Sequence, residues 1–334
     1  MTRFALQDSN CQRNQNLGLL LVLLVISVAL LVTIGDILAP LLAALVLAYL
    51  MQGLSGQLQN HGVPSWLGLT LSYTVFIGGF FGFTLGLLPL VWRQLLALAS
   101  EMPRYLDQGR QLLSVLPERY PEIFTAQQMN ELVGMAQTEA ANLGQVLVTR
   151  SLASLPGLFT LMVYMILIPM LVFFFLRDRQ QIIAWLVRFL PEKRPLLTSI
   201  WGEMNQQFAN YARGKVLEII IVGSVSYFAF AWMGLNYAAL LALLVGMSVI
   251  IPYIGAALVT LPVVAVGFFQ WGFHTEFYTL CAVYLIIQGL DGNVLVPLLF
   301  SEVVDLHPIT IIVAVLAFGG LWGVWGVFFA IPLA

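Results

Sequence analysis

Long uninterrupted apolar runs, separated by short polar breaks, set the pattern of this chain. They fall at Leu17–Ile34, Ile37–Leu54, Leu67–Trp92, Leu152–Leu176, Val216–Met233, Tyr237–Ile251, Ala256–Phe269, Tyr278–Phe300 and Pro308–Ala334. The apolar positions are continuous rather than alternating, so each run predicts a helix. A helix needs about 20 residues to cross a bilayer. The runs at 237–251 and 256–269 are short for that, and Pro252-Tyr253-Ile254-Gly255 joins them, which predicts re-entrant segments. Stretches 237–272 and 277–300 each read as a single pass or as a hairpin, leaving seven to nine passes. The first run leads into the second across the turn Gly35-Asp36 with no cleavage site, and is read as a retained span.

Two stretches break the apolar pattern. Residues 93–150 carry five arginines against six acidic residues. Leu95, Leu98, Met102, Tyr105, Leu112 and Leu116 recur there at helical spacing, Pro117 and Pro121 interrupt it, and Thr125 with Gln128 reads as a capping box opening a second helix. Residues 177–215 carry seven basic residues against three acidic ones. Ile182, Trp185, Leu186 and Phe189 form one amphipathic face, and Ile200, Trp201, Met204, Phe208 and Tyr211 another. Both predict helices lying along the membrane surface, with partner-binding helices as the alternative.

Composition agrees with the pattern. Of 334 residues, 60% are hydrophobic and 9% charged, against roughly 25% charged in soluble domains. The expectation is an all-α polytopic helical membrane protein with broken or re-entrant helices and a small extracytoplasmic helical insert. Its segments are 1–16, a cytoplasmic N-terminal stretch; 17–92, three transmembrane helices; 93–150, the insert; 151–176, a fourth span; 177–215, cytoplasmic basic helices; and 216–334, a membrane region with interrupted helices. The positive-inside rule sets this orientation, with 177–215 and the N-terminus in the cytoplasm. Gly78, Gly82 and Gly86 share one face of the third span and predict close helix packing.

Charge then singles out one position. No lysine or arginine follows Lys215, yet Asp291 lies within the run Tyr278–Phe300. A carboxylate at membrane depth costs several kcal/mol, so it faces a cavity or a partner. Asp291 must be protonated, bind a cation, accept hydrogen bonds or reach back to a much earlier basic residue. Gln288 lies three residues away on the same helical face, and Asp291-Gly292-Asn293 is turn chemistry that predicts a broken helix. Broken helices at this depth line cavities and bind ions or solutes in transporters. Asp291 is expected to carry the proton or cation of a secondary transporter, with Gln288 and Asn293 completing the polar site and Glu218, at the mouth of the fifth span, as a further ion-binding candidate. Arg213 and Lys215 are counter-charges if their segment meets Asp291, and interfacial anchors otherwise. Pro252, Gly255, Pro262, Gly292 and Pro297 are the breaks expected to shape the cavity. The competing reading puts Asp291 nearer an interface, bonded to Asn293 and nearby backbone.

Other chemistry finds little support. Cys11 and Cys281 form no disulfide framework, and with His61, His274 and His307 they form no metal-ligand spacing. The sequence holds no phosphate loop, no HExxH and no GxSxG elbow. Leu290-Asp291-Gly292-Asn293 lacks the second membrane aspartate of an intramembrane protease. No cofactor, metal or catalytic residue is expected, and the net charge of −2 points away from nucleic acid. The expected partners are membrane lipids and a small polar solute, monovalent cation or proton. A membrane scaffold or pore without coupled transport is the rival function.

Several stretches together resemble the autoinducer-2 exporter family. They are Leu38 to Leu50 (LAPLLAALVLAYL), Asn210 to Glu218 (NYARGKVLE), Ile251 to Gly255 (IPYIG) and Leu290 to Pro297 (LDGNVLVP). Leu306-His307-Pro308 and Gly319 to Pro332 add to the likeness, which covers essentially the whole chain. The resemblance implies a multi-pass permease of the bacterial inner membrane with about eight spans, forming a homo-oligomer. It implies export of a signalling molecule, or exchange of sodium or lithium for protons. Proteins of this family continue past the last apolar helix with a polar tail, so a trimmed C-terminus is expected.

Overall fold

The computed structural model describes residues 38–114, 127, 131, 134, 135, 138, 155–190, 195–300 and 307–333. The first apolar run, the Thr125 capping box, most of the insert, and Glu302 with Asp305 lie outside the described residues. What is described is helical. The helices are α1 Leu38–Asn60, α2 Ser65–Phe81, α3 Leu88–Ser114, α4 Leu155–Arg177, α5 Arg179–Val187 and α6 Pro195–Trp232. They continue with α7 Ala238–Ser248, α8 Ile254–Trp271, α9 Thr275–Leu290, α10 Val296–Phe300 and α11 Pro308–Leu333. π-Helical turns at Gly82–Leu87 and Asp291–Leu295 join α2 to α3 and α9 to α10. Among the described residues, seven helices are long and apolar enough to cross a bilayer. This is an all-α multi-pass membrane protein.

Several elements run further than their apolar stretches. The third span does not stop at Trp92: Ser65–Gln111 is one helical body of 47 residues. At 1.5 Å per residue it reaches about 70 Å, more than twice the hydrocarbon thickness. Its far part leans on the C-terminal membrane region, where Gln94 Oε1 accepts the Leu240 amide at 2.8 Å and Tyr105 stacks on Phe269 at 4.8 Å. Likewise the basic surface helix and the fifth span are one 38-residue helix, α6. Tyr211, expected on an interfacial face, is fully buried among Ile311, Phe300 and Phe328. No proline separates the polar part of α6 from its apolar part, and the single Gly214 at the junction is tolerated, so the backbone hydrogen bonds carry straight on.

The long helix α6 organises the core. Its C-terminal half packs with α7, α8 and α9 through Val222, Phe230, Leu241, Val263 and Leu280. Its middle packs against α1, α10 and α11 through Val46, Tyr211, Phe300 and Phe328. A separate cluster joins α1, α2 and α4 around Ala44, Phe76 and Val172. The α6–α7 contact is close because both sides are glycine. A Cβ on Gly246 would lie 2.9 Å from the Ile219 carbonyl oxygen and 3.0 Å from Gly223 Cα.

Two reversals shape the C-terminal half. Helix α7 has 11 residues, too short to cross. After it, Tyr253 turns the chain with φ 63° and ψ −52°, and the Ile254 amide donates to the Pro252 carbonyl at 2.7 Å. That is a γ-turn with positive φ, a strained conformation for a tyrosine. It brings Gly255 against the Ser248 carbonyl, with no room for a side chain. In α11, Gly323 adopts φ 61° and ψ −135°, a region essentially reserved for glycine. The chain folds back there, so that Gly319 meets Val327 and Gly326 meets Phe318. At Gly78, Gly82 and Gly86, nothing in the described chain comes within 4 Å of where a Cβ would lie.

Candidate functional site

The cavity lies where the middle of α6, the α7–α8 turn and the α9–α10 junction meet, and measures about 740 Å³. Its polar wall is built from Tyr211, Lys215, Glu218, Ser248, Gln288 and Asp291. Lys215 and Glu218 stand three residues apart on α6, hence on one face. Lys215 Nζ donates to Glu218 Oε2 at 2.6 Å and to the Val249 carbonyl at 3.0 Å. The two residues are only 4% and 2% exposed, so this is a buried ion pair and not an interfacial anchor. Phe300 closes over the ammonium, 5.0 Å from its ring centre, and Gly214 leaves that ring room: a Cβ there would sit 2.8 Å from it.

Asp291 opens the π-helical turn at the end of α9. The helix does not break there, although Asp291-Gly292-Asn293 is turn chemistry. A widened turn absorbs the sequence instead, and such bulges recur at functional sites. Asp291 Oδ1 is buried with no hydrogen-bond partner. Lys215 lies within electrostatic reach of it without forming an ion pair. The acid is therefore not stranded from all cations, because tertiary packing brings α6 beside it. Tyr211 Oη, on the same wall, is also buried without a partner. Two such orphans thus lie on the walls of one cavity, both with hydrogen-bonding capacity that the described chain does not use.

The remaining expected residues divide. Gln288 lines the cavity, and its amide donates to the Tyr284 hydroxyl at 3.1 Å, which also accepts from Thr260 at 3.2 Å. Pro252, Gly292 and Pro297 line it too. Gly255 is buried behind the turn and permits it, while Pro262 sits inside the continuous helix α8, away from the cavity. Asn293 is a correction. It is exposed, does not line the cavity, and donates to the Gly289 carbonyl at 2.8 Å. It thereby satisfies a carbonyl at the π-turn. Arg213 is a second correction. It turns away from Asp291, and its Nε donates to the Tyr49 carbonyl on α1 at 3.3 Å.

Sequence reasoning missed Tyr211 and Ser248 as cavity groups. Tyr211 reads as one more aromatic on an amphipathic face. The only usable signal is its spacing, four residues from Lys215 and seven from Glu218, which puts all three on one side of α6.

Comparison with known proteins agrees with a transport role. Residues 19–334 match the family model described as AI-2E family transporter. PerM of Escherichia coli, which bears the name of a permease, is 48% identical over 315 residues, covering 94% of this chain and 89% of that protein. YueF of Bacillus subtilis, which bears the name of a transport protein, is 29% identical over 336 residues, covering 95% and 89%.

Proposed function

The chain belongs to the AI-2E family of transporters, and from that premise we propose that it is a secondary transporter whose working site is the cavity around Asp291. It exports a small polar solute or exchanges a monovalent cation for protons. The observation that carries this reading is an acid with an unbonded buried oxygen, facing a cavity that already holds an internally neutralised Lys215–Glu218 pair. With that pair cancelling, the charge of the cavity is set by Asp291. One carboxylate cannot hold a proton and a cation together, and this competition is the minimum that exchange requires. Desolvation strengthens every electrostatic contact inside the site. A volume of about 740 Å³ suits a small solute. Gln288, Ser248 and Tyr211 supply hydrogen bonds for it. The protein acts in the inner membrane with its N-terminus in the cytoplasm, a reading supported by the arginine-rich stretch 177–215.

The test is flux in proteoliposomes under an imposed pH gradient. Wild type should move its solute or cation against a concentration gradient. Asp291→Asn should lose the dependence on the pH gradient while remaining folded. Transport by Asp291→Asn at the wild-type rate with unchanged pH dependence would overturn the assignment. Flux that ignores every gradient would favour a pore.

A further inference from the structure

A second concavity, of about 480 Å³, lies among α1, the start of α5 and α6, and its chemistry is different. Tyr49, Gln52, Arg179, Asn205, Asn210 and Arg213 form its polar wall, and no carboxylate among the described residues lines it. Glu203, the nearest acid along α6, instead accepts a hydrogen bond from Ser199 at 3.4 Å. Tyr49 holds the wall together from both ends. Its hydroxyl donates to Asn205 Oδ1 at 2.7 Å, and its carbonyl accepts from Arg213 Nε at 3.3 Å. The Arg213 side chain lies flat against α1 at Gly53, where a Cβ would come 2.6 Å from Nε.

Arg213 is thus positioned through one nitrogen, and its two terminal nitrogens make no hydrogen bond to the described chain. Arg179, half-buried on the same wall, makes none either. Two guanidinium groups facing one polar space without a counter-acid repel each other unless an anion joins them. Their planar forks match the oxygens of phosphate. The place suits it as well: the apolar helix α4 ends at Arg177, so Arg179 sits where hydrocarbon gives way to headgroups.

We propose that this pocket binds a phosphate group, either as a free phosphate anion or as the headgroup phosphate of an anionic lipid. The proposal is independent of the role given to Asp291. The experiment uses the purified full chain in detergent. One arm follows the thermal unfolding midpoint as inorganic phosphate replaces chloride at constant ionic strength. The other measures retention of phosphatidylglycerol against phosphatidylcholine by native mass spectrometry. Arg179→Gln is the primary variant, because Arg179 makes no hydrogen bond to the described chain. Gly53→Ala, which displaces the Arg213 side chain, is the second. Each should weaken binding about tenfold or more, the loss of one charge-assisted contact. Saturable stabilisation by phosphate that both variants lose supports the free anion. Selective retention of phosphatidylglycerol that both variants lose supports the lipid. If wild type and variants behave alike in both arms, the proposal fails.

Discussion

Lys215 and Glu218 bury opposite charges within 2.6 Å of each other. Removing both partners from water is expensive, and the pair stays stable only while each satisfies the other. Lys215→Met should therefore destabilise the protein by about 3–5 kcal/mol, because it strands a buried carboxylate. The double variant Lys215→Met with Glu218→Gln should recover most of that loss. Thermal unfolding of the purified variants in detergent checks the ordering, and equal damage from single and double would contradict it. Asp291 is the opposite case. Its Oδ1 has no partner to lose, so Asp291→Asn should spare the unfolding midpoint and act on transport alone. The same contrast separates a structural ion pair from a working acid on one wall.

At the scale of elements, glycine works through particular contacts and not through abundance. Gly246 lets α7 reach the backbone of α6, whereas a Cβ added at Gly289 on α9 would meet nothing in the described chain within 4 Å. Gly246→Ala should cost about 1–3 kcal/mol from overpacking, since carbonyl and Cα atoms cannot move aside as a flexible side chain can. Gly289→Ala should be neutral or gain up to about 1 kcal/mol from helix propensity. Paired unfolding curves in one detergent test this, and equal effects would mean that α6 and α7 do not approach so closely. The turns at Tyr253 and Gly323 are element-scale features of the same kind. Each uses positive φ to reverse an apolar chain, bringing Pro252 and Ile331 to the wall of the same cavity.

At the scale of the whole molecule, the cavity joins segments far apart in sequence: Tyr211 to Glu218, Ser248 to Ala256 and Gln288 to Phe300. If they face one aqueous space, cysteines placed at Tyr253, Gln288 and Val296 should react with a small hydrophilic reagent from the same side of the membrane. The background would be free of Cys11 and Cys281. A cysteine at Asn293 should not share that protection or access, because its side chain is exposed and does not line the cavity. Substrate should slow labelling at Gln288 and Val296 and leave Asn293 unchanged. Labelling of the cavity positions from opposite sides without substrate would argue against one shared space.

Hydropathy alone settled that the chain is a helical membrane protein, because the cost of burying backbone and charge in lipid dictates long apolar helices. The lone acid at Asp291, its neighbour Gln288 and the interrupted IPYIG stretch were legible for the same reason: polar groups and breakers stand out against an apolar background. Partnership was not legible. Whether Lys215 or Arg213 would turn toward Asp291 depended on the rotation of α6, and two residues of offset are about 200° of helix. Packing against α1 sends Arg213 one way, and packing against α7 and α10 sends Lys215 the other. The π-turn in place of a break at Asp291 was not legible either, since local turn propensity is worth less than the helical hydrogen bonds that continue through it.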